Sequence, residues 1–218
     1  MNWEIWIPRI IKEFGLTLYM VSISTLLTVL LGLPLGVYLN LSSPKGLAPK
    51  PAVYTVLSAV INVGRSLPFI ILLVAVIPFT RFLVGTTIGP TAAIPPLTLA
   101  AIPFFARVVE TALNEVDRGL LEAVQSMGGS VKDAVLKVLL PEAMPSLIAG
   151  VALTLISLIG YSAMAGAIGG GGLGDLAIRY GYQRREDLVM LITVVLLVVL
   201  VQGIQSLGSS LARRASKR

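Results

Sequence analysis

The chain has 218 residues, of which 56% are hydrophobic and only 13% charged, and its mean hydropathy is +0.89. Soluble domains carry about 25% charged residues, so this composition excludes an ordinary soluble globule and leaves lipid as the natural solvent. Cysteine and histidine are both absent, which excludes disulfides, thiolate metal sites and imidazole acid–base chemistry.

The net charge of +6 matches the Lys/Arg-rich inner loops of a membrane protein. Nucleic-acid binding is not expected, since no basic stripe interleaved with aromatics accompanies the charge. Arg9 and Lys12 precede an apolar stretch far longer than the roughly 7–15 residues of a signal-peptide core. That stretch is expected to stay as a spanning helix. Trp3 and Trp6 fit either an interfacial anchor or an amphipathic end packed on the chain's own helices.

Spanning a hydrocarbon core takes about 20 apolar residues of helix. The first such helix is expected over about 14–41. Ser42, Ser43, Pro44 and Gly46 end it, and Pro34, between Gly32 and Gly36, should kink it. The second is expected over about 53–83. Arg65 interrupts it at an insertion cost of roughly 3 kcal/mol at a bilayer centre. Arg65 is therefore placed toward the cytoplasmic side, its stem snorkelling, with the crossing part after Ser66. The alternative is a water-filled cavity on the inner side. Pro68 and Pro78 should distort this segment.

A turn over Gly85–Pro90 leads into a third helix over about 88–113. A fourth follows over about 143–168, broken by the glycine run 169–174, and a fifth over about 188–211. The expected architecture is an all-α membrane protein with five transmembrane helices in residues 14–211.

An odd number of spans puts the termini on opposite sides. With the N-terminus out and the C-terminus in, the inner segments hold ten basic residues: Lys45, Lys50, Arg107, Arg118, Lys132, Lys137, Arg213, Arg214, Lys217 and Arg218. The outer segments hold six, so charge favours this orientation. Arg179, Arg184 and Arg185 argue against it, with Asp175, Glu186 and Asp187 nearby as compensation. No internal repeat is visible, and five helices cannot divide evenly into the inverted repeats of many secondary transporters. A solute pathway would form more naturally between two copies of the chain.

Residues 115–141, between the third and fourth helices, read differently. Glu115, Asp117, Glu122 and Asp133 mix with Arg118, Lys132 and Lys137, so this is a solvated loop. Leu120, Val124 and Met127 share one face of a short helix, and Gly128-Gly129 breaks it. Ser130 can cap the next helix, with Asp133 at capping-box spacing. Val131, Val135, Val138 and Leu139 form a second apolar stripe, which Pro141 is expected to close. Two short helices on a glycine pivot could enter a groove on a partner or lie on the lipid surface. Periodicity alone does not choose.

The stretch Glu122-Ala123-Val124-Gln125-Ser126-Met127-Gly128, followed by Val138-Leu139-Leu140-Pro141, resembles the EAA loop of bacterial ABC importer permeases. Their pattern is EAA, three residues, Gly, nine residues, Ile, one residue, Leu-Pro. Val124 stands where the pattern has Ala, and Val138 where it has Ile. Both changes keep a small or branched apolar side chain. The similarity runs from about Thr17 to Leu207. The stretches Asn62–Leu73, Ile77–Arg81 and Gly160–Ala167 bring it closest to the methionine-type permeases.

The resemblance implies the type I importer fold and a cytoplasmic coupling helix. Glu122, Ala123, Val124, Met127, Gly128 and Pro141 would belong to that helix, with Glu122 and Ala123 making the docking contact and Gly128 sharpening the turn. It also implies a bacterial inner-membrane location and three kinds of protein partner: a second copy of the chain, two cytoplasmic ATP-binding cassette subunits, and a periplasmic or lipid-anchored substrate-binding protein. ATP and Mg would be bound by the ATPase, with no cofactor in this chain and no enzymatic activity of its own. The chain has no G-x-x-x-x-G-K-[ST] phosphate loop. The implied function is methionine import. A permease for an osmoprotectant or another amino acid is the alternative within the class, and a stand-alone secondary transporter the alternative outside it.

A methionine pathway needs an adaptable, weakly charged lining. Met164 with Ser162 is the candidate constriction, although small neighbours such as Ala163, Ala165 and Gly166 equally suit plain helix packing. Arg65 is a second pathway candidate. Arg107 and Glu110, three apart, read as a local ion pair.

Overall fold

The computed structural model describes residues 3–216; Lys217 and Arg218, counted above among the inner charges, lie outside them. Every regular element among the described residues is helical. Helix α1 spans Trp3–Ser42, α2 Pro51–Ser66, α3 Phe69–Ala75, α4 Ile77–Val84 and α5 Pro90–Asn114. Then come α6 (Arg118–Ser126), α7 (Val131–Ala134), α8 (Leu140–Ala165), α9 (Gly172–Asp175) and α10 (Asp187–Ala215). Four helical stretches are long and apolar enough to cross a membrane, and the bent pair α2–α3 can make a fifth.

Helix α1 begins eleven positions before the expected start at residue 14. Its first turns are held by packing. Trp6, Ile10 and Phe14 lie on Leu173, Leu176 and Val189, and the Trp6 ring meets Tyr180 edge-on at 5.4 Å. Of the two readings of the N-terminal tryptophans, Trp6 takes the packed one, while Trp3 is exposed.

Pro34 does not interrupt α1. The glycines around it have a packing role. A β-carbon on Gly36 would come within 2.6 Å of the Ala106 carbonyl and of Val109 Cβ, and one on Gly32 within 3.0 Å of the Phe105 ring. Glycines four apart let two helix backbones approach closely where lipid offers no hydrophobic drive. They seat α1 against α5.

The expected single helix 53–83 is three helices. Leu67, ahead of Pro68, is extended at φ −75° and ψ 124°, as the proline ring demands of its predecessor. The chain turns 101° between α2 and α3. A second break falls at Val76, with Pro78 in the first turn of α4, where its missing N–H costs nothing. Helix α2 runs along α5, with Gly64 against Pro103 and Ile61 on Ala106 and Leu39. Met20, Leu97, Leu158 and Ile159 fill the main core between α1, α5 and α8.

The glycine run ends α8 as expected. Gly171, at φ +77°, starts the turn into α9, and a β-carbon on Gly172 would meet Thr17 Oγ1 at 2.6 Å. Helix α9 continues through a π turn, Leu176–Tyr182, before α10.

Candidate functional site

The loop between α5 and α8 is built by local hydrogen bonding. Asp117 caps α6, accepting from the Gly119 N–H at 2.7 Å. The other end is a left-handed glycine cap. Gly128 sits at φ +76°, its N–H donates to Gln125 O at 3.0 Å, and the Gly129 N–H donates to Val124 O at 2.9 Å. This pair of bonds satisfies the orphan carbonyls of the last turn. Gly129 is equally constrained, since a β-carbon there would lie 2.5 Å from Val124 Cγ1.

Ser130 then opens α7 with a reciprocal cap. Its hydroxyl accepts from the Asp133 N–H at 3.1 Å, and its own N–H donates to Asp133 Oδ2 at 3.2 Å. Lys137 Nζ lies 2.7 Å from Asp133 Oδ1. The Lys137 hydrogen bond and those from Ser130 lower the Asp133 pKa to about 2.

No residue of α6 is buried. Its inward contact is Leu121, packed on the cluster of Leu113, Val135, Leu139 and Leu147. The expected face of Leu120, Val124 and Met127 points largely the other way: Met127 is 79% exposed and Leu120 also exposed, with only Val124 half-buried. Glu122, Ala123, Gln125 and Ser126 are exposed with them. The second stripe divides as well. Val135 and Leu139 are buried and Val138 half-buried, while Val131 is exposed.

Pro141 does not close that stripe. The chain widens into a π turn over Val135–Leu139 and passes straight into α8. Proline has no N–H for the residue four back and crowds its carbonyl. A wider turn immediately before Pro141 accommodates both. The second half of the loop is thus one helical rod with α8, continuous from Val131 to Ala165.

Arg107 and Glu110 form more than a local pair. Glu110 is 4% exposed. Its Oε2 lies 2.5 Å from Arg107 Nη1, and Tyr54 donates to its Oε1 at 3.1 Å. Arg107 Nη2 donates to Ser58 Oγ at 2.7 Å and to Asn62 Oδ1 at 2.8 Å. The network fastens α2 to α5. Its sequence signal is the spacing Tyr54, Ser58, Asn62, one polar side chain per turn along α2.

The three pathway candidates have different surroundings. Ser162 is buried and its hydroxyl donates to Ile159 O at 2.8 Å, inside its own helix. Met164 is 47% exposed. It belongs to an uncovered seam of α8 with Ala149, Leu153 and Gly160, at helical spacing. Arg65 ends α2 next to the Gly64–Pro103 contact, near the middle of α5. Arg65 is exposed one residue before the end of α2, which runs alongside α5 up to the break. Arg65 lies in the wall of two recesses of about 370 and 420 Å³.

The family model for the binding-protein-dependent transport system inner membrane component matches residues 32–216. The chain belongs to that family. It is a transport component of an inner membrane rather than an enzyme. Among similar proteins is the probable D-methionine transport system permease protein MetI of Vibrio cholerae serotype O1, 54% identical over 93% of this chain and 90% of that one. Another is the methionine import system permease protein MetP of Bacillus subtilis strain 168, 47% identical over 83% of this chain and 81% of that one. The solved MetNI methionine ABC transporter, in inward facing conformations (CY5 native crystal form), superposes with a TM-score of 0.95 at 46% identity, covering 99% of both chains.

Proposed function

We propose that this chain is the pore-forming permease subunit of an ATP-driven methionine importer in a bacterial cytoplasmic membrane. It crosses that membrane five times, with the N-terminus outside. Two copies pair around the pathway, each seated on one ATP-binding cassette subunit, and a periplasmic or lipid-anchored binding protein delivers the substrate. ATP and Mg stay with the ATPase.

The observation that carries the reading is the outward face of α6. Glu122, Ala123 and Met127 are exposed on a short helix with no buried residue, whereas α1, α5 and α8 each carry buried residues along their length. A short helix anchored by Leu121 and offering its remaining faces suits a groove on a soluble partner. The mechanism follows from its attachment. Glu122 to Met127 take the push of the closing ATPase, and the glycine cap at Gly128-Gly129 passes it to α7. The unbroken rod from α7 through Pro141 to α8 carries it to the seam that holds Met164. Rigid-body rotation of that rod in each copy alternates access between the two sides. Met164 acts as the flexible apolar seal, Arg65 lines the path, and Ser162 keeps α8 in register.

The test is uptake of labelled methionine by proteoliposomes holding this chain, its ATPase and its binding protein. ATP-dependent accumulation is expected, together with its loss on replacing Glu122 and Ala123 by Arg. Accumulation without ATP, or driven by an ion gradient, would overturn the reading.

A further inference from the structure

Arg65 makes no hydrogen bond or ion pair among the described residues, although it stands near the middle of α5 and not at its end. An arginine facing hydrocarbon there is costly; one facing a wet cavity beside an anionic partner is not. The recess beside it, about 370 Å³, is lined by Asn62, Arg65, Leu72, Phe104 and Tyr161 among others. Ligand pockets begin at about this size.

Three chemistries meet in that recess. Arg65 supplies a planar guanidinium that matches a carboxylate bidentately. Helix α2 ends there without a backbone cap bond, so its last carbonyls are unsatisfied acceptors carrying the negative end of the helix dipole. Tyr161 and Phe69 stack at 4.8 Å and 9°, an aromatic pair suited to a thioether. Tyr161 is three residues before Met164, on the same side of α8. The recess therefore opens beside the seam proposed as the pathway.

We propose that this recess is a transient substrate site within the permease for a zwitterionic amino acid with an apolar side chain. The α-carboxylate rests on Arg65, the ammonium on the terminal carbonyls of α2, and the thioether on the Tyr161–Phe69 pair. A break in a spanning helix exposes such groups to a solute at membrane depth. This site rests on the methionine-permease reading and goes beyond it, since it gives the permease its own selectivity after the binding protein has let go.

The test uses the permease–ATPase complex in nanodiscs and the complete transporter in proteoliposomes. Labelled methionine is expected to bind the complex saturably without the binding protein. Norleucine should compete, and methioninol, which lacks the carboxylate, should not. Arg65→Gln is expected to weaken binding and slow ATP-driven uptake by about tenfold or more, with Arg65→Lys in between. Leu72→Trp, which fills the recess and spares the guanidinium, should also abolish binding.

Wild-type uptake with Arg65→Gln uptake equal to it overturns the site and leaves the importer reading standing. So does equal competition by methioninol, or no saturable binding up to about 10 mM. A dependence on anionic lipid content in place of methionine would assign Arg65 to a headgroup and overturn the site. No ATP-driven methionine uptake by the wild type overturns both. If Arg65→Gln fails to assemble, the methioninol arm and Arg65→Lys decide.

Discussion

Glu13 in α1 accepts a 2.7 Å hydrogen bond from the backbone N–H of Gly172, 159 positions further along the chain. One turn on, Thr17 Oγ1 accepts from the Leu173 N–H at 2.8 Å. Two side chains of the first helix thus cap the start of α9 and hold the glycine run against α1.

Thr17→Val keeps the volume and removes the acceptor, leaving the Leu173 N–H buried and unpaired. A loss of about 1–3 kcal/mol is expected, read as a lower midpoint in thermal unfolding of the purified chain. Thr111→Val, which deletes an exposed hydroxyl bonded to Arg107 O within its own helix, should change the midpoint far less.

Gly36→Ala places a methyl group 2.6 Å from the Ala106 carbonyl, where only backbone movement makes room. Overpacking of about 1–3 kcal/mol is expected. Gly32→Ala meets the Phe105 ring at 3.0 Å, a side chain that can turn aside, and should cost less. Unfolding of both variants in one detergent tests the order.

At the loop, Gly128→Ala and Gly129→Ala should fail for different reasons. Gly128 has open space but a left-handed backbone, so alanine adds about 1–2 kcal/mol of local strain. Gly129 lacks the room, and alanine there should displace Val124 and tilt α6. Methionine-stimulated ATP hydrolysis by the assembled transporter should fall more in Gly129→Ala than in Gly128→Ala. Equal activity of the two would remove the steric argument.

These residues show what was legible beforehand. The glycine cap and the Ser130–Asp133 box were readable because they are local, made by groups a few positions apart. Membership of the family was readable from the loop spacing and the stretches around Arg65 and Tyr161. Gly32 and Gly36 were read only as neighbours of Pro34, because their partner α5 is distant in the chain. Periodicity grouped Leu120 with Val124 and Met127 and passed over Leu121, the inward residue, since both are leucine and only the anchoring cluster of Val135, Leu139 and Leu147 distinguishes them. The bend that follows Arg65 is hidden from the sequence for a related reason. Apolar residues surround a membrane helix on all sides, so hydropathy marks a span without showing what it leans on, and the 101° turn at Pro68 left no trace beyond the proline.

Among the described residues, Asp133 carries a pH effect outside the spans. Its folded pKa is depressed from 3.8 to about 2 by Lys137 and Ser130. A depressed carboxylate stabilises above its unfolded pKa and loses that contribution as pH falls through the folded value. The α7 cap should therefore be constant at neutral pH and weaken between about pH 4 and 2. Amide exchange over residues 131–139 should show protection falling across that window. In Asp133→Asn protection should be lower above it and flat within it.

The Arg107–Glu110 network predicts an asymmetry. Glu110 is nearly fully buried, while Arg107 is 20% exposed at its side chain and has two further acceptors in Ser58 and Asn62. Arg107→Ala strands a buried carboxylate whose remaining donor is Tyr54. Removing one partner of a buried pair costs about 3–5 kcal/mol. Glu110→Gln keeps an acceptor for Tyr54 and leaves the guanidinium its contacts on α2, so a smaller loss is expected. The double variant Arg107→Met with Glu110→Leu removes both charges and should recover much of the Arg107→Ala loss, since well-packed apolar pairs replace buried ion pairs at little net cost. Unfolding midpoints of the three variants measure this. A double variant no more stable than Arg107→Ala would mean that the tie between α2 and α5 depends on the polar contacts to Ser58 and Asn62, and not on relief of the stranded charge.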